Sequence, residues 1–200
     1  MLGRLVPIPS KVDKDVVEFL HQSSLNIANL ECVVTERAET KSQLNKKPKK
    51  YMCKHGASRE QGHLLKKLKI GCCNLANNHI LDYNPQGVKD CIKFLNDDGE
   101  IKWFGFGKNW ETAWKPRILR VKSSSELGFV LKIAVFGISD HFVEWKADNE
   151  AGINYFDIDN FQDSAKNLNR ARWQAFEYVS EQIDLGMKLH DFVSIEHRIN

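Results

Sequence analysis

Four polar side chains follow an apolar run in residues 74–82, which read Asn-Leu-Ala-Asn-Asn-His-Ile-Leu-Asp. They are Asn77, Asn78, His79 and Asp82. An amide oxygen suits a hard metal ion, and an imidazole can donate or accept a proton near neutral pH. The same residues also suit a turn, because Asn tolerates the left-handed backbone and His79 then needs only a hydrogen-bonding partner. The segment alone therefore leaves a metal-assisted site and a structural turn both open.

The apolar residues before this segment predict a strand that carries it to the edge of a sheet. Residues 70–76 have the length and small apolar side chains of a buried strand. Residues 25–30 predict a second strand, which delivers Asn29 and Glu31 to its end. Ligands of open α/β sheets bind at the carboxyl ends of the strands. A carboxylate such as Glu31 is costly to bury there unless it is paired, solvated or bound to a cation.

Helical and strand-like segments alternate along the rest of the chain, which is the pattern of a layered α/β domain. Helices are predicted at residues 13–22, 58–68, 85–95 and 161–189, and further strands at residues 101–104, 117–121, 129–138 and 192–195. The first helix is expected to turn Val16, Val17, Phe19 and Leu20 inwards. A length of 200 residues with 42% hydrophobic content predicts one domain over residues 1–200.

Four short motifs occur in a fixed order: Met1-Leu2-Gly3-Arg4; Asn29-Leu30-Glu31 with Thr35; Ala76-Asn77-Asn78-His79 with Asp82-Tyr83 and Gly87; and Phe104-Gly105-Phe106-Gly107 with Ala113 and Pro116. This set resembles the CapA family of capsule and poly-γ-glutamate synthesis proteins, which belongs to the calcineurin-like metallophosphoesterase superfamily. The resemblance extends in good register to about residue 142 and is most specific over residues 76–82. It implies a metallophosphoesterase-like sandwich of β-sheet flanked by helices.

The resemblance also implies a role for each polar residue at the sheet edge. Glu31 and Asn78 are expected to bind divalent metal ions, and His79 is expected to donate a proton to a leaving group. Four further residues are expected to contact the substrate or support the ligands: Arg4, Asn29, Asn77 and Asp82. Residue types alone leave alternatives open. Arg4 could equally be a solvated surface residue, Asn29 could form a turn, and Asp82 could cap the loop.

The chain departs from the family pattern near both ends. In the family, a Gly-Asp pair with the first metal ligand precedes the Met-Leu-Gly-Arg motif, whereas this chain starts at Met1. A later His-Trp-Gly motif has no counterpart, because His197 lies between Glu196 and Arg198. We therefore expect the natural protein to be longer at both ends. A two-metal centre needs several ligands, so we expect weak metal binding and little hydrolysis by these 200 residues.

The charge pattern leaves a second function open. Residues 41–54 carry six lysines and no acidic residue, which favours a solvated loop but also suits nonspecific contact with a polyanion. The alternative to a capsule enzyme is therefore a noncatalytic remnant or an anion-binding module. Expected partners are an anionic polymer or a phosphorylated substrate, and no specific nucleic acid. The overall net charge of +3 is too small to imply a partner.

The sequence contains few signals for localisation and no cysteine or histidine spacing typical of a metal site. The first residues lack the basic start and apolar run of a signal peptide, and no segment reaches the roughly 20 apolar residues of a membrane span. Five cysteines without Cys-x-x-Cys spacing suit buried thiols in a reducing compartment, so the cytoplasm is the default expectation. His55 and His63 are expected at the surface. The sequence does not determine the oligomeric state.

Overall fold

The structure, a computed structural model, describes residues 12–38, 54–122, 130–141 and 143–180. The helices, in chain order, are α1 (Lys14–Gln22), α2 (Arg59–Lys67), α3 (Asn84–Lys93), α4 (Trp110–Ala113) and α5 (Phe161–Ser180). The strands, in chain order, are β1 (Asn26–Asn29), β2 (Val33–Val34), β3 (Gly56–Ala57), β4 (Ile70–Asn74), β5 (Lys102–Phe104), β6 (Phe106–Gly107), β7 (Arg117–Lys122), β8 (Val130–Val135) and β9 (Gly152–Ile153). A π-helical turn, Phe94–Asp98, extends α3, and a 3₁₀ turn spans Val143–Trp145.

Strands β1, β4 and β5 form a parallel sheet with β4 in the centre. Asn29 pairs with Asn74, and Asn74 pairs with Phe104, so the three strands end at the same level. The ladder continues beyond the strands, because the backbone N–H of Leu30 donates to the carbonyl of Asn74 at 3.1 Å. The predicted strands are confirmed, and the residues that follow them form one carboxyl edge.

The two faces of this sheet carry different layers. Successive side chains of a strand point to opposite faces, and β4 accordingly divides Cys72 from Cys73. Cys73 packs in the main core with Val88 and Leu95 from the third helix region, whereas Cys72 packs with Phe104 and with Leu119 of β7. The antiparallel pair β7–β8 covers that second face. This arrangement of helices, sheet and hairpin confirms the predicted layered α/β class.

Burial of the thiols agrees with the cysteine pattern. Cys32, Cys72, Cys73 and Cys91 are buried and free of disulfide bonds. Burial raises the pKa of the Cys91 thiol to about 11 and that of the Cys73 thiol to about 12, because the low-dielectric interior disfavours a thiolate. These side chains therefore serve as small core residues.

One helix face was predicted wrongly. No residue of α1 is buried, and Phe19 is 70% exposed. Periodicity indicates an amphipathic helix, but it does not show how completely the sheet covers the apolar side. In α5, by contrast, Ala171 is buried and Leu168 is half-buried.

Several sequence predictions fall outside the described residues. They concern Arg4, Cys53, His197, all of the lysine-rich segment except Lys54, the last part of the predicted helix 161–189, and the predicted strand at residues 192–195.

Candidate metallophosphoesterase-type site

Asn77 joins the carboxyl ends of β1 and β4. Its Nδ2 group donates to the carbonyl oxygen of Leu30 at 3.0 Å, and its Oδ1 accepts from the backbone N–H of His79 at 3.0 Å. The side chain is buried, so both bonds satisfy groups that water does not reach. Glu31 directly follows Leu30, Asn78 directly precedes His79, and both are half-buried. Asn77 thus connects the two chain segments that carry the predicted metal ligands.

His79 forms a pair with Asp82 beside this bridge. The distance from His79 Nδ1 to Asp82 Oδ2 is 2.9 Å, and the side chains are 18% and 7% exposed respectively. A carboxylate only accepts hydrogen bonds, so Nδ1 carries the hydrogen. Nε2 is then the ring nitrogen that can exchange a proton with another group. This hydrogen bond orients the His79 ring.

His55 is a third member of the group, and the prediction that it lies at the surface is wrong. The residue is 4% exposed, and its backbone N–H donates to Asp82 Oδ2 at 2.6 Å. Its ring stacks on His79, with centroids 3.6 Å apart and planes inclined by 25°. The parallel pairing of β2 with β3 brings it there, since the backbone N–H of Val33 donates to the carbonyl of His55 at 3.0 Å. His63, by contrast, is exposed as predicted.

The other side of the edge is packed around Asn74, which sequence reasoning did not single out. Asn74 Nδ2 donates to Asn29 Oδ1 at 3.2 Å, and Asn74 Oδ1 accepts from the backbone N–H of Ala76 at 3.0 Å. Gly105 has a φ of +85°, and a Cβ at this position would lie 2.7 Å from Asn74 Oδ1. A Cβ at Gly137 would overlap the same oxygen. Glycine is required at both positions because the backbone approaches the Asn74 amide so closely.

Asn154 ties these glycine segments together. It is fully buried, its Nδ2 donates to the carbonyl of Gly137 at 2.6 Å, and its backbone N–H donates to the carbonyl of Gly105 at 3.2 Å. The sequence signal that could have identified Asn154 is its place directly after the short strand Gly152–Ile153. Asn is mostly exposed in proteins, so one at the end of a buried strand is unusual.

Thr35 belongs to the second motif, but its side chain bonds to α3 and not to the residues at the carboxyl edge of the sheet. Its hydroxyl donates to Asp90 Oδ2 at 2.8 Å, which fastens the segment after β2 to α3. Partial burial raises the pKa of Asp90, but hydrogen bonds from Thr35, Gln86 and Arg37 outweigh that effect and lower the pKa overall.

The two predicted metal ligands supply fewer oxygen atoms than a hard cation normally binds. Glu31 and Asn78 offer the oxygen atoms that divalent ions of the magnesium and calcium type prefer. Over the described ranges, no group of three His, Cys, Asp or Glu side chains lies close enough to hold a metal ion. Of the predicted site residues, hydrogen bonds connect Asn77, His79 and Asp82, whereas Asn29 bonds separately to Asn74.

The described residues form an α/β arrangement whose parallel sheet presents a His–Asp pair at its carboxyl edge. The chain matches the family described as "Bacterial capsule synthesis protein PGA_cap" over residues 8–186. The chain therefore belongs to this family, and the predicted resemblance to CapA proteins is confirmed. This membership shows a CapA-like function in capsule synthesis, and metallophosphoesterase-like proteins generally bind divalent metals. A comparison with curated proteins finds no match.

Within the part of the chain that the structure describes, no helix combines the length and the apolar character needed to cross a bilayer.

Proposed function

We propose that the chain acts in the synthesis of an anionic capsule polymer of the poly-γ-glutamate type, on a phosphorylated substrate, through a metallophosphoesterase-type site at the carboxyl edge of β1 and β4. Glu31 and Asn78 bind a divalent ion, and His79 donates a proton to the leaving group. Arg4, Asn29, Asn77 and Asp82 contact the substrate or support these groups. The observation that supports the proposal is the Asn77 amide, which bonds the end of β1 and the backbone of His79 at once.

The proton donor depends on its neighbours for orientation. Asp82 holds Nδ1, which leaves Nε2 to carry the proton that is transferred. The ring of His55 stacks against one face of His79 and restricts its rotation.

The proposed cation is a single, weakly held ion. When bound, a divalent ion supplies electrophilic polarisation of a phosphoryl oxygen. Glu31 and Asn78 are two ligands, whereas tight sites for hard cations use six or more oxygen atoms. We therefore propose a dissociation constant of about 10⁻⁴ to 10⁻³ M, the range of weak oxygen-ligand sites, and little hydrolysis by the 200-residue chain.

Binding of Mn²⁺ tests the site directly. The loss of the free-ion signal in electron paramagnetic resonance measures the affinity of the chain and of Glu31→Gln, Asn78→Ala and Glu36→Gln variants. Glu36 is exposed and close in sequence to Glu31, so its variant is a control with the same change of charge. We expect weak binding that Glu31→Gln and Asn78→Ala abolish and that Glu36→Gln preserves.

Two other outcomes would contradict the proposal. Two tightly held ions, together with phosphodiesterase activity that disappears in Glu31→Ala and His79→Ala, would show a complete catalytic centre. Equal Mn²⁺ binding by all variants would remove Glu31 and Asn78 from the site and favour the noncatalytic alternative.

A further inference from the structure

A cleft lies on the β5 side of the sheet edge, apart from His79. It has a volume of about 380 Å³ and is bounded by the segment from Trp103 to Lys108 and by residues 112–117. Its cationic lining residues are Lys108, Lys115 and Arg117, and none of the described residues that line it is acidic. All three cations are exposed, so they remain accessible to a ligand in water.

Positive charge is concentrated around this cleft. Residues 102–122 contain six cationic residues and one acidic residue, a net charge of +5, whereas the whole chain carries +3. The remaining residues are therefore slightly negative. A region with this excess of positive charge raises the local concentration of anions and steers them towards it.

Arg117 is held in position at the mouth of the cleft. Its Nε donates to the carbonyl of Trp103 at 3.0 Å, and its guanidinium carbon lies 5.5 Å from the centroid of the Trp103 ring. A guanidinium fixed through Nε presents its terminal Nη groups, which bind carboxylates and phosphates in a forked geometry. The side chain is thus oriented before any ligand arrives.

The same contacts favour a carboxylate ligand over a nucleic acid. Proteins that bind single strands of nucleic acid stack bases on exposed aromatic rings. Here Trp103 is half-buried, one face of its ring is covered by Arg117, and its Nε1 donates to Asn96 Oδ1 at 3.1 Å. The Trp103 ring is therefore occupied by protein contacts, and the other two aromatic residues that line the cleft, Phe104 and Phe106, are buried.

The cleft adjoins the candidate site through Gly105. This residue lines the cleft, and a Cβ added to it would lie 2.8 Å from the Cβ of Ala76, the residue before the Asn-Asn-His segment. We propose that the cleft binds successive carboxylate groups of an anionic polymer and holds the strand along the sheet edge towards His79. The identity of the polymer rests on the proposed function, but the charge and geometry of the cleft do not.

Binding of poly-γ-glutamate to the full 200-residue chain tests the inference. The Lys108→Gln/Lys115→Gln variant removes two cleft cations. The Lys89→Gln/Lys93→Gln variant removes two exposed cations of α3 and is a control with the same net charge. Calorimetry at low and moderate salt should show about three- to tenfold weaker binding by the cleft variant, as expected for two solvent-exposed charge contacts. The control should change less than about twofold, because its lysines lie outside the cleft.

Arg117→Lys sharpens the test, since it keeps the charge but loses the forked donor geometry. We expect weaker binding of poly-γ-glutamate by this variant with unchanged thermal unfolding. Equal weakening by both lysine double variants would overturn the inference, because it would indicate bulk electrostatics. Cleft-dependent binding of inorganic polyphosphate without binding of poly-γ-glutamate would overturn the assignment to carboxylates.

The inference and the proposed function can fail separately. The Lys108→Gln/Lys115→Gln variant should bind Mn²⁺ as the unchanged chain does, because its lysines lie outside the Glu31 and Asn78 segments. Conversely, Glu31→Gln should retain polymer binding. Loss of polymer binding in the cleft variant with Mn²⁺ binding intact supports the cleft, whereas intact polymer binding in that variant refutes it.

Discussion

The two sides of the sheet edge are built differently. On the β4 side, Asn77, His79 and Asp82 are buried or half-buried and hydrogen-bonded to one another or to the backbone. On the β5 side, Lys108 and Lys115 are exposed. Buried polar groups must be paired, so their geometry is rigid, whereas exposed cations keep their hydration and adapt to a ligand. The first side suits proton transfer, and the second suits recognition of charge.

This difference leads to separate expectations for substitutions. Changes on the β4 side should reduce the free energy of unfolding, because they leave buried groups without partners. Changes on the β5 side should alter binding with little effect on stability.

Asn77→Ala should have the largest effect. It leaves the carbonyl of Leu30 and the N–H of His79 without their side-chain partner, which we expect to reduce the free energy of unfolding by about 2–4 kcal/mol. Urea unfolding followed by circular dichroism measures the change. Asn78→Ala is the matched control and should cost less than about 1 kcal/mol, since Asn78 is half-buried. Equal losses in the two variants would contradict the assigned role of the Asn77 bridge.

His55→Ala should follow in magnitude. Removal of the buried ring that stacks on His79 should cost about 1–3 kcal/mol through lost packing. It should also shift the ring resonances of His79 in a proton–nitrogen correlation spectrum. His63→Ala removes an exposed ring and should cost less than about 1 kcal/mol without moving those resonances. Similar results for both histidines would mean that His55 does not support His79.

Asp90→Asn should produce a smaller effect that depends on pH. The pKa of Asp90 is lowered in the folded state. Its contribution to the free energy of unfolding is therefore present above the pKa of the unfolded chain, near 4, and is lost as the pH falls through the folded pKa. We expect the variant to be less stable by about 0.5–1 kcal/mol at pH 6 and nearly equal to the unchanged chain at pH 2 to 3.

Thermal unfolding between those pH values measures this difference. Gln86→Ala removes only the longest hydrogen bond to Asp90, at 3.3 Å, and should show a weaker form of the same trend. A stability difference for Asp90→Asn that grows as the pH falls would contradict the sign of the predicted linkage.

The smallest change in stability is expected on the β5 side. Lys108→Gln/Lys115→Gln should alter the free energy of unfolding by less than about 0.5 kcal/mol, since both side chains are exposed. Urea unfolding tests this, in parallel with Asn77→Ala. A loss comparable to that of Asn77→Ala would remove the distinction between the two sides of the edge.

Local patterns predicted much of the frame. The strand at Ile70–Asn74 and the helix at Asn84–Lys93 follow from apolar periodicity and from the proline at the first helical turn. The placement of the Asn-Asn-His segment at a strand end follows from the run before it. Periodicity failed for α1, where Phe19 is exposed, because an apolar stripe does not reveal how far a neighbour covers it.

The sequence by itself determined the family, the order of the elements and the chemical types available at the sheet edge. Only the tertiary structure decided that His55 stacks on His79 and that Arg117 is fixed against Trp103. The physical reason is range: propensity and periodicity act within a few residues, whereas these contacts depend on strand register and on layers packing across the sheet. A two-residue strand such as β3 has too little pattern to indicate its partner, yet its pairing with β2 positions the buried histidine of the site.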